Sequence, residues 1–562
     1  MPEYLAPGVY VEETSFRAKS IEGVSTSTTA FAGPTRSGPT SGAPVLVTSF
    51  GDFERIFGGF EALDFGGGPV TNYLAHAVRN YFDNGGARLF IARVYNGDGG
   101  VSRTDWLGDA DDDTDNLRFV SRFPGRRGDG RVTVRLQTTP ASERALARAP
   151  RGAMLVRGGS VFINGAAGFV DASDTALGDP TGGESFVTAD VMWRDADGNE
   201  VFYESLGLAT GHPRFIGDVL AARPDRLVDQ LELPFALEAG DGVDAFRLHT
   251  ILSGAEVNGV TLSLSGGSDG GEPTAANYTA PLDELGRIDD IAIVAAPGYS
   301  AYGERAAIQE ALLGHAEARK AYRFAVLDTR RGIAPAEALT DKSVVDSSHA
   351  AMYYPWVVVA NPLARPDNAG IARELELPPS GFVCGIFARN DIERSVAKSP
   401  GNEVVRGAIR LERNVSHGEQ ELLNPRGVNC LRFFPGRGYR LWGARTASSD
   451  PEWKYVGPRR FFLYLEHSID RSTQWAVFEN NGPRLWANVT EAVSDFLYNE
   501  WRAGNLLGST PEQAYFVRCD RSTMTQNDLD NGRLICLVGV AVLKPAEFVV
   551  FRIGQKTADA SD

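Results

Sequence analysis

Residues 266–270 read GGSDG, a match to G-x-S-x-G, in which a serine nucleophile sits on a tight strand-to-helix turn beside a histidine and an acid. A strand-like stretch, VTLSLSGG, leads into Ser268, but GEPTAANYTAP follows without helical periodicity, so a Gly-rich turn between domains competes with the catalytic reading. Two acidic stretches imitate calcium loops. In DADDDT, starting at Asp109, Thr114 stands where the sharp-turn glycine belongs and Val120 where the bidentate glutamate belongs; in DADGNE, starting at Asp195, those positions are Glu200 and Leu206. Neither predicts a metal site. The histidines (His76, His212, His249, His315, His349, His417, His467) include no H-x-x-x-H or H-E-x-x-H pair, and His349 beside AAMYYPW reads as a partly buried, hydrogen-bonded imidazole. AAPG at 295–298 follows a strand, where an open α/β sheet holds phosphates, yet it lacks both G-x-G-x-x-G and a P-loop lysine. Cys384, Cys430, Cys519 and Cys536 are widely spaced without C-x-x-C, so neither a zinc site nor a disulfide framework is expected. The expectation is therefore no catalytic residue, no metal and no cofactor.

Composition narrows the classes further. A formal net charge of −16 argues against a nucleic-acid surface, which needs a basic stripe to displace counterions, and against an anionic membrane. Seven of the 56 basic residues are lysine, and the arginine excess suits bidentate carboxylate pairing between surfaces as well as a GC-rich genome. The 62 glycines exceed the usual share of about 7% and predict many turns. The chain opens Met1-Pro2-Glu3 without a basic or apolar leader, and its longest apolar run, residues 535–543, is half the roughly 18 residues of a membrane span. A soluble protein of a reducing cytoplasm is expected.

Stepping along the chain, TTAFAGP and PVLVTSF read as short strands. PVTNYLAHAVRNYFDNGG follows as a helix stopped by Gly85-Gly86, and ARLFIARV as a buried strand. From about residue 98 the character changes. RVTVRLQ and VTLSLSGG alternate apolar and polar residues, the mark of a β-rich insertion with one wet face. The α/β rhythm returns with IDDIAIVAAPG, an Ala-rich helix through YGERAAIQEALLGHAEARK, the strand YRFAVLD, a helix ending near DSSHAAMYY, and the strand WVVVANP. Strands apolar on both faces that alternate with helices predict a largely parallel sheet covered on both sides. Beyond residue 400 the pattern turns to antiparallel-type strands around two helices. The second of these spans about 483–503, with Val489, Val493, Phe496, Leu497 and Trp501 on one stripe.

The two ends pose the remaining question. PGVYVEE (7–13) alternates Val9 and Val11 against Tyr10 and Glu12, and PAEFVVFRIG (545–554) carries Phe548, Val549, Val550, Phe551 and Ile553. Neither has a hairpin mate nearby, and Pro545 separates the second from RLICLVGVAVL. Pairing within the chain and pairing with another chain both remain open on the residues alone.

YLAPGVYVEE with GVSTSTTAFAGP resembles the opening of contractile-tail sheath proteins, found in contractile phages, R-type pyocins and extracellular contractile injection systems. LSGGSDG, AAMYYPWVVVANP, PPSGFVCGIFARND, LNPRGVNCLRFFPGRGYRLWGARTAS, RRFFLYLEHSI and PAEFVVFRI are similar to that family's blocks, in its order. One departure is Ser399-Pro400-Gly401-Asn402, where the family commonly has Ala-Pro-Ala-Asn. The resemblance implies terminal arms that complete sheets in neighbouring subunits, with Val9, Tyr10, Val11, Phe548, Val549, Val550, Phe551 and Ile553 as the strand-exchange residues. It implies a multidomain fold with a mixed, mostly parallel α/β layer, a β-rich insertion, an α+β C-terminal domain and extended arms. The expected division is 1–25 for the N-terminal arm, 26–97 with 281–399 for the α/β domain, 98–280 for the outward insertion, 400–544 for the tube-facing domain, and 545–562 for the C-terminal arm. Implied partners are further copies in a helical sheath, an inner tube protein, and baseplate and terminator proteins, with no nucleic acid and no membrane insertion. Assembly in the bacterial cytoplasm follows, as part of a phage tail or injection particle. The competing readings are a hydrolase or nucleotide-binding enzyme centred on Ser268 or the 297–303 turn, and a non-contractile surface-layer or fibre protein.

Overall fold

The computed structural model describes residues 20–108, 113–253, 259–368 and 370–552. These fall into two compact units, a larger one of Ser27–Arg389 with Gly401–Lys454, and a smaller one of 20–26, Asn390–Pro400 and 455–552.

The larger unit is organised by a nine-stranded sheet. Its centre is six parallel strands in the spatial order Leu89–Arg93, Thr29–Gly33, Ile293–Ala295, Phe324–Asp328, Ala350–Tyr354 and Val428–Phe434. Antiparallel strands close its edges, Val45–Val47 at one side and the hairpin strand Gly438–Trp442 with Glu403–Val404 at the other. Most of the central residues are apolar because both faces are covered. On one face Ala30, Ala32, Val294 and Leu327 pack under the helices Ala275–Gly286 and Arg305–Glu317, through Leu282, Leu285, Ile308 and Leu312. On the other, Phe31 meets Tyr81 of the helix Tyr73–Asp83 edge-on at 5.8 Å, and Phe324 and Tyr353 meet Phe387 of the helix Ser380–Glu393.

Between the strands Leu89–Arg93 and Ile293–Ala295 the chain makes the insertion. It is an antiparallel sheet of seven strands around Ser185–Arg194 and Gly130–Pro140, with the short pair Leu117–Ser121 and Phe235–Ala239 beside it. Val132, Val134 and Leu136 are buried and their neighbours Arg131 and Arg135 exposed, which is the alternation read from the sequence.

Three features differ from the sequence reading. GEPTAANYTAP, taken as non-helical, begins the helix Ala275–Gly286, opened by a reciprocal Thr274/Asn277 cap that offsets the cost of Pro281 inside it. AAMYY, taken as the end of a helix, is itself a parallel strand of the central sheet, whereas Val357–Ala360 belongs to a separate three-stranded antiparallel sheet. Pro355, without an N–H, ends the first ladder between them. Residues 401–454, assigned to the C-terminal domain, supply strands of the central sheet instead: Val428–Phe434 pairs parallel with Ala350–Tyr354, and its hairpin mate Gly438–Trp442 returns antiparallel beside it.

The smaller unit packs the helices Val456–Ser472 and Pro483–Arg502 through Phe461, Leu465, Trp486, Val489, Val493, Phe496 and Leu497. The second helix has Gly482 before it, Pro483 at its first position and Gly504 beyond its end, as its sequence signals. A two-stranded sheet, Tyr515–Arg518 with Leu537–Val540, lies against this core through Tyr515, Val517 and Val540.

Candidate assembly site

The Ser268 hydroxyl accepts from the Gly270 amide at 3.1 Å, and the Ser268 amide donates to the Gly100 carbonyl at 3.0 Å. Its acidic neighbour Asp269 accepts from the amides of Arg126 and Asp64 at 2.9 and 3.0 Å, which ties the insertion to the α/β layer. Serine and acid alike fasten a chain crossing. The strand order reverses beside Thr29–Gly33 and Ile293–Ala295, so a ligand crevice would open at their carboxyl ends, near residues 297–303. That position is filled. Gly298 adopts φ +89°, and a β-carbon there would stand 2.5 Å from Tyr73, while Tyr299 and Tyr302 are buried below it. Among the described residues no three His, Cys, Asp or Glu side chains are placed to hold a metal ion.

The chain ends give a different picture. Val9, Tyr10, Val11 and Ile553 lie outside the described residues. Residues 21–26, the root of the N-terminal arm, run antiparallel along the helix Val456–Ser472. The Glu22 amide donates to Ser472 Oγ at 3.4 Å, the Val24 amide to Ser468 Oγ at 3.2 Å, and Arg460 Nη2 donates to the Thr26 carbonyl at 2.9 Å. Between them a β-carbon on Gly23 would stand 2.2 Å from the Tyr464 hydroxyl, so only glycine lets the strap lie this close. Arg460, Tyr464, Ser468 and Ser472 recur every fourth residue and therefore form one stripe down the helix. Ile21 inserts beside Phe461 and Leu465.

Arg460 is held in turn by Asp391, with Nη1–Oδ1 at 2.9 Å and Nη2–Oδ2 at 2.6 Å, both side chains at most 3% exposed. Burial and the adjacent Glu500 carboxylate, which accepts from the phenol at 2.8 Å, push the Tyr464 hydroxyl well above its ordinary pKa. It stays neutral and keeps donating.

The opposite tail leaves from the other end of the same helix. Tyr455, its N-cap, donates from its hydroxyl to Glu547 at 3.0 Å. Beyond that bond Phe548, Val549, Val550 and Phe551 are 72%, 69%, 77% and 83% exposed and pair with no strand among the described residues. One helix of 17 residues, about 25 Å long at 1.5 Å per residue, thus holds residues 21–26 along its length and Glu547 at its N-cap. The two-stranded sheet of this unit also shows apolar surface, with Phe516 57% and Leu537 49% exposed on its outer face.

The sequence flagged the arm residues by their unpaired alternation, and missed their anchors. Arg460, Asp391, Ser468 and Ser472 are polar residues whose partners are far away in the chain, and only the four-residue spacing on a helix hints at them.

Two family models match end to end, the phage tail sheath protein central domain over residues 271–447 and the phage tail sheath C-terminal domain over 448–556. A putative prophage major tail sheath protein of Pseudomonas aeruginosa (strain UCBPP-PA14) is 28% identical over 319 residues, 56% of this chain and 75% of that protein. The tail sheath protein of Enterobacteria phage T4 is 24% identical over 190 residues, covering 33% of this chain and 28% of the phage protein. In fold, the chain is similar to the helical sheath of the anti-feeding prophage in its contracted state, with TM-score 0.55, 22% identity and 98% and 99% of the two chains covered. It is likewise similar to the contracted PVC sheath of an extracellular contractile injection system, with TM-score 0.55, 19% identity and 99% of each chain covered. Filled crevice, tethered arms and matched domains agree: the chain belongs to the contractile-tail sheath family and is a structural sheath subunit.

Proposed function

We propose that this subunit polymerises helically around an inner tube, linked to its neighbours by its two arms, and contracts to drive the tube through a target envelope. The observation that carries the reading is the run of exposed apolar residues Phe548–Phe551, tethered at its root and paired with no strand among the described residues. Five ladder bonds at about 1 kcal/mol each roughly cancel the ~1–2 kcal/mol per residue lost on ordering an arm. Burying side chains such as Phe548 and Val550, at roughly 1.5–3 kcal/mol each, tips the balance, and that burial needs a second copy. The sheet Tyr515–Arg518 with Leu537–Val540 is the acceptor we favour, since it has few strands and an apolar outer face. Donor and acceptor surfaces differ, so the contact is heterologous and extends into a helix where the rotation does not close.

In this reading Val9, Tyr10, Val11 and Ile553 enter the joint with Phe548–Phe551, the unit holding the helix Val456–Ser472 faces the tube, and the β-rich insertion faces outward. Contraction is a rigid-body rotation of subunits into a shorter, wider lattice while the arms keep neighbours tied. The subunit performs no catalysis. Baseplate and terminator proteins close the ends of the sheath, which assembles in the bacterial cytoplasm. The test is deletion of residues 1–13, which leaves a folded monomer that forms no tubes by electron microscopy. Intact helical tubes from the truncated chain would count against the proposal.

A further inference from the structure

The antiparallel ladder of the two-stranded sheet in the smaller unit runs in register from Tyr515 opposite Val540 to Arg518 opposite Leu537. One step further, the same register sets Cys519 opposite Cys536. Side chains alternate between faces, so both thiols lie on the side of Val517 and Val538, the side turned to the helix Pro483–Arg502. Cys519 is buried there and Cys536 is half-buried, and the two thiols stand close enough to perturb each other electrostatically. The intervening segment is fastened to itself, Thr523 Oγ1 donating to the Ile535 carbonyl at 2.7 Å and Arg533 Nε to Asp528 at 3.0 Å, which keeps its ends together. Directly opposed residues hold their β-carbons about 4.5–5.5 Å apart, and a disulfide asks for about 3.5–4.5 Å, so closure needs only a small approach.

We propose that Cys519 and Cys536 form a cross-strand disulfide when the protein meets a low-molecular-weight disulfide oxidant, stapling the register of this two-stranded sheet. With oxidised glutathione, the thiolate of the more exposed Cys536 attacks one glutathione sulfur, the glutathione S–S bond breaks, and one glutathione leaves. The Cys519 sulfur then attacks Cys536 Sγ, forms the protein S–S bond and expels the second glutathione. Two electrons pass from the protein to glutathione, and the two thiol protons end on the two glutathione thiols. The bond stands on the ladder register alone; that it stiffens an arm acceptor rests on the assembly reading above.

The full-length chain, reduced and then exposed to oxidised glutathione, is denatured and alkylated to count free thiols. The count falls from four to two, and trypsin releases residues 519–521 linked to residues 534–552, Lys544 being uncut before Pro545. Cys519→Ser keeps a glutathione adduct on Cys536, since no second thiol resolves it. Four free thiols after prolonged exposure, or a bridge to Cys384, to Cys430 or between chains, would overturn the proposal. Tube formation is scored separately on the same samples, so failure to polymerise counts against the assembly reading and leaves the disulfide result intact.

Discussion

Arg460 and Asp391 form a doubly hydrogen-bonded pair of buried charges whose third bond, from Arg460 Nη2 to the Thr26 carbonyl, secures the last residue of the strap before the chain enters the larger unit. Removing one partner strands the other charge in a dry site, at a cost of about 3–5 kcal/mol. Asp391→Asn and Arg460→Ala therefore lower the thermal transition of the smaller unit steeply. The pair Asp391→Leu with Arg460→Met recovers most of that loss, because both charges go together. Hydrogen exchange at the Val24 amide separates anchoring from charge burial, since the double variant regains its melting temperature and still leaves the Thr26 carbonyl without its donor. Equal exchange in both proteins would show that Ser468, Ser472 and the Ile21 contacts hold the strap without Arg460.

A second prediction concerns the exposed tail. Phe548 and Val550 are 72% and 77% exposed, so charges there meet water in the isolated subunit, and surface changes of this kind stay within about ±0.5 kcal/mol. Phe548→Asp with Val550→Asp leaves the urea midpoint where it was. Assembly is another matter, because two carboxylates would have to enter a dry joint. Soluble monomer with no tubes is the expected result of sedimentation and electron microscopy; a shifted urea midpoint would place these residues in the subunit's own core.

How much of this was readable follows from where each signal lives. The helix Pro483–Arg502 was legible in full, because its apolar stripe, opening proline and closing glycine all act within the segment. Four of the six parallel strands were legible because burial on both faces leaves continuous apolar runs, as in Phe324–Asp328. The helix Ala275–Gly286 was hidden by Pro281 and by a cap made of Thr274 and Asn277, residues more usual in loops. Ala350–Tyr354 was hidden because a short apolar run fits a helix end as well as a strand. The strap was invisible for another reason. Val24 and Ser468, or Cys519 and Cys536, are brought together by tertiary register, which no local window contains.

Gly298 offers a third test, of the filled crevice. At φ +89° an alanine meets the left-handed penalty of about 1–2 kcal/mol, and its β-carbon would overlap Tyr73, which adds roughly 1–3 kcal/mol of overpacking. Gly298→Ala thus destabilises the larger unit by about 2–5 kcal/mol in urea unfolding. Equal stability of the single variant and the parent protein would mean that the crevice is open.

Asp328 supplies the pH dependence. It ends the strand Phe324–Asp328, is wholly buried, and accepts from the Ser380 amide at 2.7 Å and the Ser380 hydroxyl at 2.6 Å. Burial pushes its carboxyl up to about 7 from 3.8, against the pull of those two hydrogen bonds. A carboxyl raised in the folded state holds its proton there after the unfolded chain has released it. Its contribution to stability is consequently full below about pH 4, declines between about 4 and 7 and is lost above, by up to about 4 kcal/mol at roughly 1.4 kcal/mol per pKa unit. Asp328→Asn keeps an acceptor for the Ser380 amide and carries no charge at any pH. The difference in urea midpoint between the parent protein and Asp328→Asn isolates this group, since every other carboxylate titrates in both. That difference moves in favour of the parent as pH falls from 7.5 to 4.5. A flat difference would mean that the amino end of the helix Ser380–Glu393 holds the carboxylate ionised throughout, its amide and dipole outweighing desolvation.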